Sequence, residues 1–193
     1  MNKKKISTRT ITGVAIFTAI VIVLQLLGSF IRFGPFSISL VLIPIVVGTA
    51  LYGPFWGAWL GFVFGLVVLL SGDAAPFLVV SPLGTILTVL VKGTLAGLAS
   101  GVVYRALEKT GSKLAVVLAA IVCPVVNTGV FLLGCQVFFL ETITGWAQAA
   151  GYDNVGRYMI FGLAGLNFLF EMLVNILFSP LVLRLIRLGR TRE

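Results

Sequence analysis

Residues 51–71 read LYGPFWGAWLGFVFGLVVLLS, a run without a single charged side chain. Glycine recurs at Gly53, Gly57, Gly61 and Gly65, and a spacing of four places these positions in one row along a helix. The run opens on Tyr52-Gly53-Pro54, a tight-turn signal. Pro54 then falls in the first helical turn, where its missing N–H removes no bond. The apolar stretch before the turn, 38–52, therefore forms a helical hairpin with 54–71.

The rest of the chain follows the same composition. Of its 193 residues 59% are hydrophobic and 10% charged, and the mean hydropathy is +1.14. A water-soluble domain carries about 25% charged residues, so the solvent for most of this chain is lipid. A cytosolic enzyme and a secreted disulfide scaffold are excluded. About 20 apolar residues cross the hydrocarbon as a helix, and that rule divides the chain into six segments: 10–28, 38–52, 54–71, 83–104, 114–139 and 158–186. The expected fold is an all-α integral membrane protein, a single six-helix transmembrane domain over 1–193 with a basic start at 1–9 and a basic tail at 187–193. A basic start before an apolar core also resembles a signal peptide, but this run is too long and the remainder is polytopic without it.

Six spans put both termini on one side, and the 14 Lys and Arg residues say which. Lys3, Lys4, Lys5 and Arg9 precede the first span, Arg105, Lys109 and Lys113 fill the middle gap, and Arg184, Arg187, Arg190 and Arg192 close the chain. The opposite loops hold only Arg32 and Arg157, with Lys92 inside a span. Both termini are thus expected in the cytoplasm, and the net charge of +8 is a topology signal and not a nucleic-acid footprint. Asp73, Glu141 and Asp153 then lie outside, in loops 29–37, 72–82 and 140–157. These loops form an outward lid or mouth, or merely connect helices.

No metal or cofactor is expected. The chain has no histidine and no CxxC pair, which removes the common zinc, haem and iron–sulfur ligand sets. Cys123 and Cys135 share one segment, and twelve helical residues separate them by roughly 18 Å, too far for a disulfide.

A second glycine row, Gly93, Gly97 and Gly101, matches the one at 53–65. In lipid such rows allow close backbone approach, either between segments of this chain or with another protein. Segment one has a shorter small face, Gly13 with the pair Ala15 and Ala19 one turn inside the basic end. It too serves internal packing or a partner helix.

Strongly polar groups within spans need a reason, since a charge near the bilayer centre costs at least about 2.5 kcal/mol on insertion scales. They are Lys92, Asn127, Gln136, Asn167, Glu171 and Asn175. Counted inward at about 1.5 Å per residue, Lys92 lies roughly 13 Å deep and Glu171 roughly 20 Å. The two form an ion pair, address a ligand, or both. Asn167, Glu171 and Asn175 recur every fourth residue and share a face that cannot meet lipid. Asn127 and Gln136 are nine apart and point to different sides, so one of them at most faces the same cavity. Pro124 shapes a site or kinks its helix. Phe30, Phe33 and Phe36 in the first outer loop, and Phe138, Phe139, Trp146 and Tyr152 at the last, form an interfacial belt or stack on a planar ligand.

The chain has no energy source of its own. No GxxxxGKS/T phosphate loop occurs: Lys92-Gly93-Thr94 lies mid-span without lead-in glycines, and Gly111-Ser112-Lys113 ends in Leu114. Six spans in this length fit a binding subunit driven by separate ATPases, and Glu171 leaves a proton-coupled carrier open.

The order of elements carries a resemblance across nearly the whole chain. A basic amino terminus leads to Ala15-xxx-Ala19. Phe33-Gly34-Pro35-Phe36 runs into Leu42-Ile43-Pro44 and Gly48, followed by Leu51-Tyr52-Gly53-Pro54 with Gly57 and Gly61. Val91-Lys92-Gly93 with Ala96-Gly97 comes next, and Asn175 with Ser179-Pro180 near the end. In this the chain resembles the substrate-binding S components of energy-coupling factor (ECF) vitamin transporters, in the riboflavin and pantothenate-like branch. The resemblance implies a water-soluble vitamin held near the outer face of the bacterial plasma membrane and capped by the first outer loop. It also implies a membrane T subunit against Ala15 and Ala19, and two cytoplasmic ABC ATPases that supply the work. It argues against a thiamine-type member, whose histidine and multiple tryptophans are missing here.

The substrate-binding candidates Lys92, Asn127, Gln136, Asn167, Glu171 and Phe33 rest on depth, polarity and position. Lys92 suits an anion such as pantothenate, and the aromatic mouth suits a flat ring such as riboflavin. A self-sufficient carrier using Glu171 and a non-transporting membrane scaffold are the alternatives.

Overall fold

The computed structural model describes residues 7–30, 32–33, 36–37 and 40–190, without the side chains of 32, 33, 36, 37, 166 and 188–190. The basic residues Lys3, Lys4, Lys5 and Arg192 lie outside the described residues.

Helix α1 (Thr8–Gly28) starts on Ser7, whose Oγ accepts from Thr10 N at 3.1 Å, an N-cap. A short antiparallel ladder of β1 (Arg32–Phe33) and β2 (Phe36–Ser37) pairs Phe33 with Phe36 within the first outer loop. Helix α2 (Leu42–Tyr52) begins later than the segment boundary at 38 and is buried almost all round, from Leu42 and Ile45 to Thr49 and Ala50. A helix apolar on every side belongs in an interior, and α2 is the central element. Gly53 takes φ +100° to make the turn, with its N–H on Thr49 O at 2.8 Å, and Pro54 opens α3 (Pro54–Leu70). Glycine suits the turn because a side chain there is strained; Arg105 also crowds the position.

Two loop helices were not legible in the apolar pattern: α4 (Ala75–Leu78) and α7 (Leu140–Ala149). Between them run α5 (Pro82–Leu107), capped by Ser81 Oγ on Gly84 N at 3.3 Å, and α6 (Ser112–Phe138), with Pro124 inside it. The last segment is not one continuous α-helix from 158. A single turn α8 (Val155–Arg157) passes into a π-helix over Tyr158–Ala164, and α9 (Gly165–Arg190) begins after it. Among the described residues, four helices are long and apolar enough to cross a membrane: α1, α5, α6 and, over Asn167–Arg187, α9. At about 1.5 Å per residue α3 spans roughly 25 Å and α2 roughly 16 Å.

The tightest packing joins α3 to α5, antiparallel. A Cβ built on Gly61 would strike the carbonyl of Gly93, and one on Gly93 the carbonyl of Gly61; Gly57 and Gly97 obstruct each other in the same way. The two glycine rows face each other within this chain, and Thr49 Oγ1 reaches the carbonyl of Gly97 at 3.4 Å from α2. Ser100 Oγ ties α5 to the Ala119 carbonyl of α6 at 3.0 Å, and α6 and α2 pack on α9.

Candidate functional site

Helix α5 turns a second face away from the glycine seam. Thr88 and Lys92 lie along it, one residue before Val89 and Gly93 and so about 100° away round the helix, with Thr85 a turn earlier. They line a cavity at the loop-rich end of the bundle, with about 790 Å³ of empty space including its open mouth. The enclosed part of that space is about 90 Å³. Across from α5 stand Asn127, Thr128 and Phe131 of α6, and Asn167, Phe168 and Glu171 of α9. Leu163 and Ala164 of the π-helix, Phe64 and Val68 of α3, and Gln25 of α1 complete the walls. A wider turn such as a π-helix changes the phase of the side chains after it, and here it precedes Asn167.

Lys92 is accommodated by ring faces. Its Nζ lies 5.6 Å from the centroid of Phe64 and 5.2 Å from that of Phe131, a cation–π arrangement that gains strength where water is excluded. Glu171 and Asp73 are near enough to act on its charge. The mouth is aromatic: the ring of Phe77 on α4 packs edge-on against Phe131, Phe139 and Trp146 at 5.6, 5.1 and 5.5 Å. These contacts fix α4 and α7 over the cavity.

Asp73, at the turn after α3, joins the ends of two helices through one oxygen. Its Oδ2 accepts from Gln25 Nε2 at 2.9 Å, Ser29 Oγ at 2.6 Å and Ser71 Oγ at 3.0 Å. The end of α1 is thereby held on the end of α3. Among the described residues, buried oxygens of the lining that make no hydrogen bond include Gln25 Oε1, Thr88 Oγ1 and Asn127 Oδ1. Buried polar atoms are nearly always paired, so a cavity lined by such atoms is chemically suited to a polar solute.

The family described as ECF transporter, substrate-specific component, matches the chain over residues 9–186. The chain belongs to this family. It is a membrane-embedded, substrate-binding subunit of a transporter, and not an enzyme. No curated protein matches it.

Against that background the positions of the sequence-derived candidates divide. Lys92, Asn127, Asn167 and Glu171, from three separate helices, line the one cavity of the S component described above. Gln136 is exposed and stands outside it; nine residues from Asn127 is half a turn out of phase. Phe33 enters the β-ladder through its backbone, and its side chain lies outside the described residues. Asn175 is buried but bonds locally, Nδ2 to the carbonyl of Glu171 at 2.8 Å. Phe139 and Trp146 belong to the mouth, Tyr152 meets Tyr158 edge-on at 5.4 Å, and Phe138 is exposed. Ala15 and Ala19 are exposed on α1, on the side away from buried Val14, Val21 and Gln25. Cys123 and Cys135 are buried and free.

Gln25, Asp73, Thr85 and Thr88 are lining residues that sequence reasoning missed. Gln25 is a polar side chain in the first apolar run and meets the criterion that picks out Asn127. Asp73 and the threonines give no such signal, because an acid in a loop and a threonine in a helix are ordinary.

Proposed function

We propose that this S component spans the bilayer six times, through α1, α2, α3, α5, α6 and α9, with the whole chain forming one transmembrane unit and both termini in the cytoplasm. In a bacterial plasma membrane the cavity then opens outward and captures a water-soluble vitamin of the riboflavin or pantothenate class. A T subunit docks on the Ala15 and Ala19 face of α1, and two cytoplasmic ATPases drive release. The short α2 fits this topology because it is enclosed by other helices, and the placement of Lys and Arg supports the orientation.

The observation that carries the reading is the convergence of Lys92, Asn127, Asn167 and Glu171 on one aromatic-mouthed cavity in a chain of this family. An ammonium beside ring faces serves a carboxylate such as that of pantothenate, and the rings themselves serve a flat heterocycle. Ala15 and Ala19 touch nothing in the cavity, so their exposure supports a separate docking role.

Mass spectrometry of the purified protein identifies the retained solute, and a vitamin of this class is the expected result. Replacing Ala15 and Ala19 together by Leu is expected to abolish uptake in cells while leaving binding by the purified protein unchanged. A second reading, a self-sufficient proton-coupled carrier, is favoured by the burial of Glu171 at 6% exposure on the same cavity. Accumulation of solute by the purified double variant in proteoliposomes, with a proton gradient as the only energy source, would establish that reading in place of the first.

A further inference from the structure

We infer that Gln25 is a specificity-determining residue of the cavity: its side-chain carbonyl, held in one orientation by Asp73, accepts a hydrogen bond from an N–H or O–H group of the solute. This rests on the proposed reading of the cavity as a solute site and adds a demand on the solute's chemistry.

The argument turns on what a carboxylate can do. An ionised carboxylate only accepts hydrogen bonds, whereas a primary amide has a donating and an accepting end. Asp73 Oδ2 takes Gln25 Nε2 at 2.9 Å and is itself anchored by Ser29 and Ser71. Turning the amide over would set its carbonyl against the carboxylate. Oε1 is therefore committed to the other side, where it is buried without a partner in a side chain only 1% exposed.

Asn127 Oδ1 and Thr88 Oγ1 are unpartnered too, yet they discriminate less. A hydroxyl both donates and accepts, and no hydrogen bond to a carboxylate is seen to fix the amide of Asn127, so it can present either end. Among the three, Gln25 has an acceptor that cannot become a donor. A site built around such a group rejects an analogue that lacks the matching hydrogen, because the buried group is then left unpaired. Asp73 acts as a positioning residue, since it works through Gln25.

The test uses the full chain in detergent, with pantothenate and riboflavin as probes, together with derivatives of each methylated in turn at every N–H and O–H. Titration calorimetry compares the unaltered protein with Gln25→Met, which keeps length and removes the acceptor, and with Asp73→Asn. For the probe that binds, Gln25→Met is expected to lose about tenfold in affinity. One methylated derivative is expected to lose about as much on the unaltered protein and nothing further on Gln25→Met. Asp73→Asn should narrow the difference between that derivative and its parent, which a purely structural role would not do.

Wild-type affinity in Gln25→Met, or an equal loss for every derivative, overturns the inference and leaves the vitamin-binding reading standing. If Gln25→Met does not fold, the derivative series on the unaltered protein together with the selectivity of Asp73→Asn decides: no derivative weakened, or an Asp73→Asn selectivity like the original, overturns it. If neither probe binds but another small molecule survives purification, its amount per protein should fall at least about tenfold in Gln25→Met, and equal retention overturns the inference. A protein that binds neither probe and retains nothing overturns this inference and the proposed function together.

Discussion

Where α5 meets α3, Gly93 and Gly97 bring backbone against backbone; where it meets the cavity, Thr85, Thr88 and Lys92 keep its neighbours at a distance. On the first side every peptide group is already bonded within its own helix, so the helices can approach until carbonyl oxygen touches α-carbon with nothing left unsatisfied. Lipid provides no hydrophobic force between helices, and such contact is what holds them. On the second side polar atoms remain buried without partners, and closing the gap would strand them. The same helix is thus clamped on one side and open on the other. A rigid wall lets the open side keep its shape while empty, which lowers the ordering cost of binding.

The largest expected effect comes from breaking the clamp. Gly61→Ala places a methyl on the carbonyl of Gly93, a backbone atom that cannot swing aside as a side chain would. Overpacking of this kind costs about 3 kcal/mol at the upper end of its usual range. Thermal unfolding in detergent should show a marked loss of stability, with binding lost as a consequence. A variant as stable as the parent would mean that the seam opens freely and is no clamp.

Lys92→Met attacks the open side and should separate the two probes. The methionine still fills the space between Phe64 and Phe131, but buried Glu171 loses the ammonium that acts on its charge, so some stability is lost whichever probe is used. Affinity for pantothenate should fall by about 2 kcal/mol, the range for a hydrogen bond to a charged group. Riboflavin, without a carboxylate, should lose less, so the ratio of the two losses in calorimetry reports which solute the site is built for. Equal losses of affinity for both probes would make Lys92 a structural residue.

The clamp was legible in the sequence and the open side only in part, for a physical reason. Glycine at every fourth position is a periodic signal, and two such rows, of four and three glycines, mark faces for close approach, with packing on each other as one of the two readings the sequence left open. Lys92, Asn127, Asn167 and Glu171 are legible because lipid penalises them individually. The contribution of α1 is different: Gln25 joins the cavity through a bond to Asp73, 48 positions away in sequence, and no local pattern records that pairing. The loop helices α4 and α7 are also tertiary products, since four and ten residues do not sustain a helix alone. The ring of Phe77 on α4 holds the two together through Phe139 and Trp146. The break before α9 escaped notice because the apolar run 158–166 continues through it unchanged, and hydropathy does not distinguish an α turn from a π turn.

The smallest effect sharpens the comparison by taking a glycine away from any seam. Gly129 lies on α6 in the same stretch as Asn127 and Thr128, but a Cβ built on it meets nothing within 4 Å. If glycine matters in this protein only where backbones touch, Gly129→Ala should leave probe affinity unchanged. It should also stabilise the helix by up to about 1 kcal/mol, the difference in propensity between the two residues. The gain is small enough to need replicate melting curves, and its sign is what counts. A loss of stability approaching that of Gly61→Ala would contradict the account, because it would assign glycine a role that close packing within this chain does not explain. A loss confined to uptake in cells, with stability and binding intact, would mean that a partner helix covers the surface at Gly129, extending the docking face proposed on α1.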